Sequence, residues 1–308
     1  HGVVSSFDTP AYVSYSYTFP NKNIDFEISG SYLLEIQDPY SGEVWFSLPF
    51  WIQEGMGKAK TRFDHFPSRT PLPRTRVQPF LTYEYPTEVN LPQIDLKLEV
   101  YFNRRWGKPQ TNFILDQSRA GLVTWHPGRS EAFPGVYEIN SLDIQDVRNG
   151  NPNIFSYSFA QFPPSVRLIT DQPSISSNLG PARFVSSLQE NVNRRYFNVE
   201  FRVDPLNLTK RTDRIYVVGS FNNWMIEPET ELLWNAEENV FYRNILMKEG
   251  LHGYKYLVKR EGKVLEHILE DPFNKQDNEY VSLVYFKDIR KQYHRLLFAN
   301  VSRVQDYR

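Results

Sequence analysis

The chain has 308 residues and no cysteine, so disulfides and thiolate metal sites are excluded outright. It has no apolar run of about eighteen residues, the length a membrane-crossing helix needs. Net charge is almost absent: 35 Lys and Arg face 36 Asp and Glu, leaving -1 at pH 7. A protein held to nucleic acid by its phosphates needs a basic face, so no nucleic-acid partner is expected. Histidine is scarce, and His1, His65, His126, His252, His267 and His294 never fall at metal-ligand spacing. There is no G-x-S-x-G elbow and no glycine-rich phosphate loop. Glu266 and His267 are an adjacent acid and imidazole, and neighbours on a strand point to opposite faces. The expectation is therefore no enzyme, no catalytic residue, no cofactor and no metal. Helical periodicity longer than about twelve residues is missing too. The first four residues, His1-Gly-Val-Val4, show no signal peptide and no initiator Met, so a processed or trimmed form is expected.

What is present is aromatic and alternating. Aromatics make up 15% of the chain, led by 22 Phe and 19 Tyr, a composition that favours strands. The length suits two or three domains of roughly 100–200 residues each. Val13, Tyr15, Tyr17 and Phe19 alternate with polar residues. Tyr32, Leu34 and Ile36 follow, and then Val44, Phe46, Leu48, Phe50 and Ile52. Pro49 inside the last of these predicts a sheet edge or a bulge. These strands are too few for a whole sandwich, so residues 1–54 read as the C-terminal part of an N-terminal sandwich domain. Residues 55–93 hold six prolines and several arginines, which disfavour helix and central strand. They read as a linker or a partner-binding arm.

The clearest alternation, Ile94 to Phe102, opens an expected middle β domain over 94–190. Short strands are predicted at 121–125, 135–139 and 166–169. An expected third domain, 191–308, opens with Phe197, Val199, Phe201 and Val203. It continues through 241–247, 254–258 and 280–286. The class that follows is all-β, in tandem immunoglobulin-like or early-set β-sandwich domains.

The sharpest stretch runs from Asp213 to Trp224. Ile215 and Val217 share one strand face, and Gly219 removes the Cβ where the chain bends. Asn222 and Asn223 suit a tight turn, and Trp224 presents a flat ring with one N–H donor. Sugars are held by aromatic platforms with a few polar groups for the hydroxyls. Trp224, Lys255 and Asn278, beside the turn residues Asn222 and Asn223, are the candidate ligand or partner contacts. An accessory domain for glycan processing would instead show two facing carboxylates about 5–10 Å apart.

Two resemblances add to this reading. Gly219-Ser-Phe-Asn-Asn-Trp224, with Glu249-Gly250, Tyr254-Lys-Tyr256 and Asn278, resembles a family-48 carbohydrate-binding, or glycogen-binding, early-set sandwich over roughly 210–286. That resemblance implies glucan contact by Trp224 and Lys255. A second stacking Trp is expected in the turn at 261–265, where this chain has no aromatic residue.

The second resemblance spans nearly the whole chain. It rests on Phe19-Pro-Asn21, Ser29-Gly-Ser-Tyr-Leu-Leu34, Glu99-Val-Tyr-Phe-Asn103, the 219–224 turn, Asn278-Glu-Tyr280 and Leu283-Val-Tyr285, in that order. This set resembles the plug protein family of the bacterial type IX secretion system. It implies an exported protein in the periplasm, against the inner face of the outer membrane. Its implied partners are the outer-membrane translocon β-barrel and other translocon subunits, and its implied role is to close that barrel's periplasmic mouth. The alternative is a carbohydrate-binding protein using Trp224 and Lys255.

Overall fold

The structure is a computed structural model. It describes residues 2–5, 11–68, 75–135, 139–148, 151–172, 194–207, 209–210, 212–266, 268–269 and 278–304. The fold is all-β, a multi-domain sandwich in two compact units. Unit 1 takes residues 1–17, 70–74 and 136–276, and unit 2 takes 18–69, 75–135 and 277–308.

The chain begins in unit 1 with a two-strand ribbon, β1 (Gly2–Val4) and β2 (Val13–Tyr15). It passes to unit 2 for β3 (Gly30–Gln37), β4 (Val44–Ile52), β5 (Lys58–Pro67) and β6 (Thr75–Glu84). A four-residue helical turn, α1 (Pro92–Asp95), leads into β7 (Leu96–Phe102). β8 (Ile114–Arg119), β9 (Leu122–His126) and β10 (Phe133–Pro134) close that passage. Back in unit 1 come β11 (Asn140–Asp143), β12 (Ile154–Ser158), β13 (Ser165–Leu168) and β14 (Tyr196–Val203). They are followed by β15 (Arg214–Gly219), β16 (Leu233–Asn235), β17 (Val240–Lys248), β18 (Leu251–Arg260) and β19 (Lys263–Leu265). The chain returns to unit 2 with β20 (Glu279–Asp288) and β21 (Tyr293–Arg303).

Unit 1 is a sandwich. One sheet runs β11-β18-β15, with β19 on β18. The other runs β12-β13-β14-β17-β16. Alternation places one face of each sheet in a shared core. Phe197, Val199, Phe201 and Met247 come from the second sheet, and Ile215, Val217, Tyr256 and Val258 from the first. Tyr12, just before β2, packs edge-on against Tyr196 with ring centroids 5.6 Å apart. Its hydroxyl accepts the Arg194 N–H (3.0 Å) and donates to the Arg194 carbonyl (2.7 Å).

Unit 2 joins segments far apart in the chain. β20 lies between β7 and β21, antiparallel to both. A second sheet runs β10-β6-β9-β8, with β5 also on β6, and β3-β4 form a ribbon. Phe63, Phe102 and Phe133 surround the Tyr280 ring at centroid distances of 5.0–5.3 Å. At the start of β20, Asn103 clasps the strand. Its backbone N–H donates to the Glu279 carbonyl (2.8 Å), and its Oδ1 accepts the Glu279 N–H (2.9 Å). The fully buried Glu279 carboxylate lies between Arg104 and Arg303, at 2.6 and 2.8 Å. Burial pushes its pKa up, but the two guanidiniums outweigh that and hold it below the ordinary value.

Two expectations are corrected. Residues 55–93 are not a linker arm. They hold β5 and β6, paired over ten residues each from Lys58↔Glu84 to Pro67↔Thr75. Pro67, Pro79 and Pro92 are compatible because of where they fall. Pro67 ends β5 and Pro92 starts α1, where no N–H is needed. Pro79 pairs with Phe63 on one side. On its other side it falls between the β10 pairing at 76–77 and the β9 pairing at 81–84. The second correction concerns the boundaries at 93 and 190. β7, expected to open a middle domain, pairs with β20, expected in the third, from Leu96↔Phe286 to Phe102↔Tyr280. The predicted strand at 135–139 falls largely on 136–138, outside the described residues, and the strand there is β11 at 140–143. Pro49 does sit on an edge strand: β4 has β3 as its single ladder partner among the described residues.

Candidate functional site

The turn after β15 is built by its own side chains. The Gly219 N–H donates to Asn222 Oδ1 (2.9 Å), and Asn222 Nδ2 donates to the Met225 carbonyl (2.6 Å). The Gly219 carbonyl accepts the backbone N–H of Asn222 and of Trp224 at 3.2 and 3.0 Å. Asn223 and Trp224 take left-handed φ values of 52° and 62°. Asparagine adopts that region readily and tryptophan does not, so the hydrogen-bonded loop holds Trp224 there. Asn222 is consumed in closing the loop, and Asn223 is exposed.

Trp224 is half-buried. Its indole lies against the backbone of β18 at Gly253. A Cβ there would stand 3.4 Å from Trp224 Cη2 and 2.9 Å from Ile139 Cγ2. Gly219 is required for the same kind of reason, since its Cβ would come 2.4 Å from the Gly253 carbonyl oxygen. The ring therefore offers one part of itself to solvent and uses the rest as packing.

The other predicted contacts do not join it at a surface. Lys255, opposite Val218 on β18, is 2% exposed, and its ammonium donates to the Glu266 carbonyl at 3.1 Å. That burial leaves little of Lys255 for the expected ligand contact. Asn278 belongs to unit 2, where it is also 2% exposed. There its Oδ1 accepts from Asn103 Nδ2 at 3.0 Å, and its carbonyl accepts the Val304 N–H at 3.1 Å. Glu266 is described, but His267 lies outside the described residues.

Two arrangements near the turn escape sequence reasoning. His252 Nε2 lies 2.7 Å from the Lys248 carbonyl, which makes it the donor and leaves Nδ1 as acceptor. Ser220 Oγ stands 3.4 Å from that Nδ1 and accepts the Gly253 N–H at 3.3 Å. Burial lowers the His252 pKa, against the raising effects of the Lys248 carbonyl and Asp143. At that separation the pair fastens the turn to β18. A proton transfer from serine to histidine needs about 2.6–3.2 Å.

The second arrangement is a carboxylate in the sandwich. Asp171 follows β13 and bridges to Val203. Part of the residue reaches solvent, but its carboxylate is enclosed. Asp171 Oδ2 accepts the hydroxyls of Tyr254 (2.9 Å) and Tyr256 (2.7 Å). Burial pushes its pKa up to about 6, against the lowering effect of those two hydroxyls. Tyr254 and Tyr256 read as strand aromatics in the sequence, and nothing there links them to an acid more than eighty residues upstream.

No family model and no curated protein matches the chain. Among solved structures it is similar to a hypothetical protein from Parabacteroides merdae, seen by crystallography at 2.30 Å. The TM-score is 0.80 at 19% identity, over 99% of this chain and 79% of that one. At that identity the likeness is one of fold alone: this chain shares the all-β fold of the Parabacteroides merdae protein.

Proposed function

We propose that the chain is a non-enzymatic plug that closes the periplasmic opening of the type IX secretion translocon barrel. What supports the reading is where its ordered motif set falls. Glu99–Asn103 is the end of β7, and Asn278–Tyr280 and Leu283–Tyr285 lie on β20, its ladder partner. Ser31, from the Ser29–Leu34 motif on β3, shares a 2.7 Å hydrogen bond with the Tyr285 hydroxyl. Tyr101, Leu283 and Tyr285 pack in one core cluster with Trp51 and Trp106 beside them. Segments up to about 250 residues apart thus meet in unit 2, as a shared scaffold requires. An occluding body needs stiffness and a partly polar docking face, and it needs no chemistry.

The glucan alternative is less well supported, because it loses Lys255 to the interior and keeps only the half-buried ring of Trp224. The test is a pull-down of the tagged full-length protein from detergent-solubilised envelopes, read by mass spectrometry. A very large outer-membrane barrel in near-equal amount is the expected result. Its absence from the eluate refutes the reading.

A further inference from the structure

The β3-β4 ribbon carries an apolar face that, among the described residues, is covered at one end. The register places Tyr32, Leu34 and Ile36 opposite Phe50, Leu48 and Phe46 on one side. Phe19 and Phe26, from the preceding loop, fold over Phe50 at 5.1 and 5.6 Å, and Tyr32 stacks on Phe50 at 5.3 Å. On the opposite face Trp51 packs on Tyr101 and Trp106, which anchors that same end to the core of unit 2. Beyond this the ribbon becomes more exposed. Phe46 is 52% exposed and Leu48 44%, with Leu34 and Ile36 half-buried beside them.

A two-stranded ribbon is marginal by itself. Natural edge strands carry charges, often lysine, that discourage pairing. β4, Val-Trp-Phe-Ser-Leu-Pro-Phe-Trp-Ile, has no charge at all. The ends and flanks of the ribbon do, and mostly of one sign. Residues 18–53 hold Asp25, Glu27, Glu35, Asp38 and Glu43 against Lys22 alone. That is a net -4 in a chain whose total is -1.

The geometry points to this ribbon as a protein-docking surface. It takes a partner that presents an apolar patch ringed by Lys and Arg. The acidic rim selects the occupant. A second copy would set two -4 surfaces face to face, and an anionic lipid surface would repel the rim as well. A basic, apolar protein surface satisfies both the uncovered face and the charge.

This inference deepens the plug reading by naming its docking face, and it rests on that reading for the identity of the partner alone. The test uses the full-length tagged protein from native envelopes, in three forms. They are wild type, Phe46→Asp with Leu48→Asp, and Glu35→Lys with Glu43→Lys. Melting curves accompany each form. The expected result is an unchanged melt, with barrel recovery at least tenfold lower for both double variants. Wild-type recovery should also fall as NaCl is raised. If the apolar pair impairs folding, the charge-reversal pair decides, since its residues are exposed.

Wild-type recovery matched by both variants overturns this docking face and leaves the plug reading standing. If wild type recovers no barrel, the plug reading fails, and a photo-crosslinker at position 48 judges the ribbon by itself. A crosslink to a Lys- or Arg-rich peptide of another protein then sustains the inference. A crosslink to a second copy, to the chain's own residues or to lipid overturns it, as does no crosslink.

Discussion

The enclosed carboxylate of Asp171 makes unit 1 sensitive to pH in a way that can be worked out from its surroundings. Two tyrosine hydroxyls converge on Oδ2. Tyr256 also lies 3.1 Å from the Arg202 carbonyl, and its one proton serves both acceptors. Burial dominates, and the pKa rises from 3.8 to about 6. That is about two pH units, or about 3 kcal/mol of difference between the charged and neutral forms. The sign follows from linkage. The folded state binds this proton more tightly than the unfolded chain does. The associated stability is therefore fully present below pH 3.8 and is lost as pH rises through about 6. About half of the loss falls between pH 5 and 8.

Asp171→Asn keeps an oxygen to accept from the tyrosines and cannot ionise. Its stability should lack this slope. Other groups titrate in the same range: His252, half-buried and with a pKa lowered by desolvation, contributes stability that is lost as pH falls below 6.5. The quantity to measure is therefore the difference between variant and wild type, in which His252 cancels. With two compact units, a single global melt mixes transitions. The assay is hydrogen exchange of peptides from β14, β15 and β18, corrected for intrinsic rates, at pH 5, 6, 7 and 8. Variant minus wild type should grow with pH by about 1–1.5 kcal/mol over that span. Parallel curves would show that the carboxylate is already well solvated, and the reasoning would be refuted.

Two further predictions rest on close contacts. Glu279→Gln keeps the shape of a fully buried side chain but removes the charge that Arg104 and Arg303 share. Hydrogen exchange of β20 peptides at pH 7 should show a loss of about 2 kcal/mol, the scale of hydrogen bonds to a charged group. The wild-type pKa is depressed, so its advantage is present above 4.5, is lost as pH falls through the depressed value, and should vanish under acid. Gly253→Ala places a methyl 2.9 Å from Ile139 Cγ2 and 3.4 Å from Trp224 Cη2. It should cost about 1–3 kcal/mol as an overpacked site. Ile139→Ala should relieve part of that cost, so the double-variant cycle should show coupling between the two positions. An additive cycle would mean that Ile139 does not rest on β18.

The class of the fold was legible because alternation is a local signal. β3, β4, β7, β14, β15, β18 and β20 all coincide with alternating or apolar runs, each of which must turn one face inward. The pairing was not legible. β7 and β20 lie almost 180 residues apart, and no local pattern says that Tyr101 packs with Leu283 rather than with its own neighbours. β6 failed for a different reason. The prolines and arginines of residues 55–93 disfavour a strand, yet Val77, Pro79, Leu81 and Tyr83 form an alternating buried face. A proline weakens a strand assignment only where a ladder bond is lost, and at Pro79 one side of the ladder is interrupted.

The candidate site divides along the same line. The turn from Gly219 to Trp224 was readable because glycine and asparagine report backbone conformation directly, and the positive φ values fall at its end. Lys255 misled because charge is a poor guide to exposure in a strand covered on both faces. Val218 and Tyr216 beside it are buried, and the ammonium finds a backbone carbonyl instead of water. The uncovered ribbon was half visible. The alternation of residues 32–36 and 44–52 announced a face that needs a partner, and the shortage of strands around it announced that the partner is not local. Only the register adds the decisive point. Phe19, Phe26 and Trp51 secure one end, and the uncharged remainder stands out among five carboxylates. An apolar ribbon face that stays exposed inside an acidic rim is best explained by something that binds it.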